Sequence, residues 1–167
     1  MRRQSSVALC LISAASLLLS SATVAEDRRR IIPANVEVDA IRFEGSPQTV
    51  QGFLAKYPEG DFVERFKEAG EARVSVALRD LNGDDKQEVI AFVAGPITCG
   101  ARDCQVLILT PTGSGYRTVF DGFASSVALG ARARNGWRDV ITNLTTDRDN
   151  VRSGVTWTWT GERYEMR

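Results

Sequence analysis

The chain has 167 residues, its 21 Lys and Arg are balanced by 21 Asp and Glu, and it contains no histidine. A neutral balance without a concentrated basic face excludes a nucleic-acid binder that works through phosphate contacts. The missing imidazole excludes Ser–His and Cys–His triads, His-ligated metal centres and a histidine switch near neutral pH.

At the N-terminus Arg2 and Arg3 precede an apolar run from Val7 to Leu19, and the small residues of "SSATVA" then lead into Glu26 and Asp27. This order reads as a secretory signal peptide over residues 1–25. The competing reading is an uncleaved anchor, because residues 7–25 carry no charge and approach the length of a bilayer span. The small residues Thr23 and Ala25 favour cleavage, and Leu9 ahead of Cys10 disfavours a lipidation site. Cleavage removes Arg2 and Arg3, so the basic count falls from 21 to 19 against 21 acidic residues, a net charge of −2. The expectation is a periplasmic or secreted protein with no membrane span after cleavage. A basic, disordered lead-in over residues 26–34 would precede one domain over residues 35–167.

In chain order, "NVEVDAIRF" alternates Val36, Val38 and Ala40 with polar neighbours and predicts a short strand. Two helices follow. In "SPQTVQGFLAKYPEG" Ser46 is placed to cap, Pro47 suits the first helical position and Pro58 stops the helix after Tyr57. In "GDFVERFKEAGEA" Asp61 and Glu64 have capping-box spacing and Gly70 suits the C-terminal cap. From residue 72 the period changes to two. "ARVSVALRD", "QEVIAFVAG", "CQVLILT", "YRTVF", "SSVAL", "DVITNL" and "VTWTWT" predict seven strands. They are joined by short turns at 111–115, 121–123, 131–136, 146–150 and 161–163, too short for crossover helices. The fold class expected is therefore α+β, two short N-terminal helices followed by an antiparallel meander of about seven strands.

The most specific local pattern is "RDLNGDDKQEV". Asp80, Asn82 and Asp84 fall at every second position of a turning loop, which brings their oxygens toward one point as a hard cation requires. The Lys86 carbonyl and Glu88 complete a possible ligand set for calcium. The alternative is a metal-free turn in which the same side chains accept from backbone N–H groups two residues on. The loop resembles the calcium-loop signature of FG-GAP and VCBS-type repeats, with Glu88 replacing the last Asp and Asp85 the Gly. It is also similar to small exported bacterial proteins that carry one such loop, a close Cys pair ("CGARDC") and an aromatic final hairpin ("TWTWTGERY"). The resemblance gives Asp80, Asn82, Asp84 and Glu88 as ligand positions and implies the fold and an exported setting; a calcium ion held there, with the Lys86 carbonyl added from the loop's own spacing, would be structural.

With Cys10 lost in the signal, Cys99 and Cys104 remain as an even pair in an oxidising compartment, and a local disulfide is expected. Their spacing is not that of a redox-active C-x-x-C pair. Trp157 and Trp159 share one strand face, either as core or as a ligand face for a glycan or protein partner. Trp137 and Tyr164 are placed to join them. Catalysis without histidine would rest on carboxylates, and no pair among Asp103, Asp121, Asp139, Asp147 and Asp149 is singled out by spacing. The function expected is an exported, non-catalytic binding or envelope-associated module. The alternatives are a carboxylate-dependent glycan hydrolase and a small exported inhibitor of a hydrolase.

Overall fold

The computed structural model describes residues 29–167, so the segment read as a signal peptide lies outside the described residues. In chain order the elements are β1 (Arg30–Ile32), β2 (Val38–Ala40), β3 (Glu44–Thr49), α1 (Val50–Lys56), α2 (Val63–Glu68), β4 (Arg73–Arg79) and β5 (Glu88–Ala94). They continue as β6 (Cys104–Thr112), β7 (Gly115–Ala124), β8 (Val127–Arg134), β9 (Trp137–Thr146), β10 (Arg152–Trp159) and β11 (Tyr164–Met166). Strands β3-β4-β5-β6-β7 form one sheet, and β1-β10-β9-β8-β2 form a second, with β11 also paired to β10. Every strand pairing in the two sheets is antiparallel.

The apolar runs of β5 and β6 are continuous because their sheet is covered on both faces. Val89, Ala91, Val93, Leu107 and Leu109 point to the helices, where they meet Phe53, Tyr57, Phe62 and Phe66. Ile90, Val106 and Ile108 point the other way, against Leu129, Val140 and Trp159 of the second sheet. The molecule is thus layered as helices, first sheet, second sheet, with one apolar seam on each side of the first sheet.

The α+β expectation is corrected: the chain is mostly β, 54% strand and 10% helical, and built from two sheets. The helices span only seven and six residues, and three strands precede them. Those early strands pair with distant partners, β1 with β10 and β2 with β8, which local periodicity cannot reveal. Residues 30–32, inside the expected disordered lead-in, are accordingly the strand β1. Residues 46–49, expected to open the first helix, belong to β3, and Thr49 caps α1 by accepting from the Gly52 N–H at 3.0 Å. Asp61 does not cap α2; its carboxylate reaches β7 and accepts from the Thr118 N–H and hydroxyl. Gly70 does follow α2 in the left-handed conformation, at φ +59°. The expected turn at 121–123 lies inside β7, and residues 131–134 continue β8.

Candidate functional site

The loop between β4 and β5 is organised by its own side chains. Asp80 Oδ1 accepts from the N–H groups of Asn82 (3.1 Å) and Gly83 (2.7 Å), and its Oδ2 accepts from Asp85 (3.1 Å). Asn82 Oδ1 accepts from the Asp84 N–H, and Asp84 Oδ1 from the Lys86 N–H, each at 2.9 Å. These successive Asx turns wind the loop tightly enough that Gly83 and Asp85 both take positive φ. Desolvation pushes the Asp80 pKa up, but the N–H groups of Gly83, Asp85, Asn82 and Asp84 together outweigh it and hold the carboxyl below its ordinary value.

Glu88, the last expected ligand, is turned inward and is fully buried. Its Oε2 accepts from the Leu81 N–H at 2.8 Å, and its Oε1 from the Thr110 hydroxyl at 3.0 Å and the Asn82 amide at 3.5 Å. Burial raises its pKa, against the lowering effect of the Leu81 N–H and Thr110 hydroxyl, and the charge of Asp84 raises it further. Leu81 carries the loop into the seam between the sheets, where its carbonyl accepts from the Arg138 N–H at 2.8 Å. Of the residues expected to hold calcium, Asp80, Asn82, Asp84 and Glu88 each have a side-chain oxygen that accepts from a protein donor. Among the described residues no group of three or more His, Cys, Asp or Glu is arranged to hold a metal ion. As arranged, the loop fits a self-capped turn better than a cation cage.

A disulfide joins Cys99 and Cys104. It closes the connection between β5 and β6, which is also tied by the Gly100 N–H to the Asp103 carbonyl (2.8 Å) and the Gln105 N–H to the Thr98 carbonyl (2.8 Å). Among the described residues no helix is long and apolar enough to cross a membrane.

Trp157 and Trp159 both face the seam between the sheets. Trp159 is buried, stacked on Trp137 with ring centroids 4.1 Å apart and set edge-on to Tyr164 at 5.6 Å. The Tyr164 hydroxyl donates to the Arg138 carbonyl at 2.8 Å. Burial, together with the charges of Glu88 and Asp139, drives its pKa up. Trp157 is different: it is half-buried, meets Phe120 edge-on at 5.0 Å, and its indole N–H donates to Thr142 Oγ1 at 2.9 Å.

The half-buried ring lines a groove of ≈ 470 Å³ between α2, β7 and the C-terminal hairpin. Its polar wall is made by Asp61, Arg65, Asp121, Arg163 and Glu165. Arg65 pairs with Asp121, whose other oxygen accepts from Gln105 at 3.1 Å, and Arg163 pairs with Glu165 at 3.0 Å. These five residues were not legible as a set. Asp61 reads as a helix cap and Asp121 as a turn residue, and nothing in their spacing points to residues 157–165. No family model, curated protein or solved structure matches the chain.

Proposed function

We propose that the chain is an exported, non-catalytic binding module that takes a segment of envelope glycan in the groove at Trp157. The observation that carries this reading is the composition of the groove. The exposed part of one indole, held in place by its hydrogen bond to Thr142, is flanked by three carboxylates and two guanidiniums. A sugar ring offers an apolar C–H face to an aromatic ring and hydroxyl groups to planar acceptors and donors, and the nearly balanced charge suits an uncharged ligand. The export signal read at the N-terminus and the local disulfide agree with an oxidising compartment outside the cytoplasm.

The same groove argues against the hydrolase alternative. A glycosidase needs one carboxyl free to give a proton and another free to attack or to activate water. Here Asp61 Oδ1 is held by two donors of Thr118, and Asp121 by Arg65 and Gln105. The test is a titration of the full chain with soluble envelope glycan fragments, followed by tryptophan fluorescence and by product analysis. The expected result is a saturable shift without turnover, with binding about tenfold weaker in Trp157→Ala. A shift that survives intact in that variant, or no shift at all, overturns the reading; turnover replaces it with the hydrolase.

A further inference from the structure

A second concavity, of ≈ 430 Å³, lies on the helix side of the first sheet, between the end of α1, the end of the 80–87 loop and the β6–β7 turn. Its wall carries two tyrosines set edge to face, Tyr57 and Tyr116, with ring centroids 5.3 Å apart. Pro111 and Leu78 extend the apolar surface. At its rim stand Lys56, whose ammonium lies 5.5 Å from the Tyr57 ring centroid, and Lys86. Among the described residues neither lysine has a carboxylate within ion-pair distance. The nearest acids in sequence, Asp84 and Asp85, make no ion pair with Lys86, and the Asp84 carboxylate is turned to the Lys86 backbone N–H.

We infer that this cleft binds a small organic anion, a carboxylate or phosphate carried on a ring-shaped body, with Lys56 and Lys86 as the counter-charges and the half-exposed Tyr116, Pro111 and Leu78 as the surface under the ring, backed by the buried Tyr57. The size matches a single ring with its substituents, since ligand sites of drug-sized molecules begin at about 300 Å³. Two unpaired ammonium groups give a site for negative charge without the fixed fork of a guanidinium, so a carboxylate and a phosphate head group both satisfy it. The apolar wall is what separates this site from a patch of surface charge: it favours an anion with a ring over a bare ion. The inference is independent of the groove at Trp157, from which it differs in position and in the sign of charge it presents.

The test is a titration of the full chain at low ionic strength with three probes: benzoate, inorganic phosphate and neutral benzamide. Binding is read by nuclear magnetic resonance shifts of the Tyr57 and Tyr116 ring protons. Benzoate should saturate both tyrosine signals, inorganic phosphate should bind about tenfold more weakly, and benzamide should leave the signals in place. Lys56→Gln and Lys86→Gln should each weaken benzoate about threefold to fivefold at unchanged thermal midpoint, the loss expected for one partly exposed charge pair. The proposal fails if benzamide binds as well as benzoate, if both lysine variants bind benzoate like the wild type, or if no tyrosine signal moves at millimolar benzoate. Phosphate binding equal to benzoate would mark a site for charge alone and would likewise overturn it.

Discussion

Burial and hydrogen bonding pull the Glu88 carboxyl in opposite directions, and burial wins. Its folded pKa stands above the ordinary 4.5, so the stability it contributes is fully present below that value and is lost as pH rises through the folded pKa. Asp80 works the other way: its pKa is held below the ordinary 3.8, so its contribution is present above that value and is lost as pH falls through the folded one. Glu88→Gln keeps an acceptor for the Leu81 N–H and a group that can face Thr110, but removes the charge. The thermal midpoint of the variant should therefore gain on the wild type as pH is raised from about 4 to about 8. A gap that stays constant across that range would mean that Glu88 is not titrating in the folded state. The alternating Asp80, Asn82 and Asp84 are legible in the sequence as oxygen donors, but the partner of each oxygen is not. An Asx turn and a cation loop use the same residues at the same spacing, and the direction of Glu88 depends on Thr110, twenty-two positions away.

The first helix shows how a correct local signal can be displaced by pairing. "SPQT" satisfies the rules for a helix start, yet Gln48 and Thr49 pair with Val74 and Arg73 of β4, and the strand carries on through Pro47 to the true cap. Thr49→Ala should lower stability by about 1 kcal/mol, the usual cost of losing an N-cap, while Ser46→Ala should change it by less than about 0.5 kcal/mol. Equal effects in thermal unfolding would restore Ser46 as the cap. Residues 121–123 fail as a turn for a related reason. Asp121 and Gly122 are turn formers in isolation, but β7 runs on through them to pair with Leu107 and Val106, past a register shift between Ile108 and Leu109. Gly122 makes room inside the strand for the Phe120 ring, 2.8 Å from where a Cβ would stand, and a glycine kept for such close packing misleads when read locally as a turn.

Across the molecule, the first sheet is the shared wall of two seams, and this couples the helices to the second sheet. Phe53 is fully buried on the helix side, packed on Tyr57, Phe62 and Phe66, whereas Trp137, Trp157 and Trp159 lie in or against the seam on the opposite side. Phe53→Ala should cost about 3–5 kcal/mol, and the tryptophan-reported transition should fall together with that seen by circular dichroism. Tryptophan unfolding left at its wild-type midpoint would show that the layers unfold separately. The two continuous apolar runs, the turns within 111–115, 146–150 and 161–163 and the close cysteine pair were readable from the sequence, because each rests on neighbours in the chain: side-chain alternation, turn chemistry and a five-residue separation. The second sheet, the inward direction of Glu88 and the groove that joins Asp61, Asp121 and Trp157 were not. Those features depend on contacts between residues 22 to 120 and more positions apart, as between Glu88 and Thr110 or Arg30 and Gly154, and no local period records which distant strand will lie alongside.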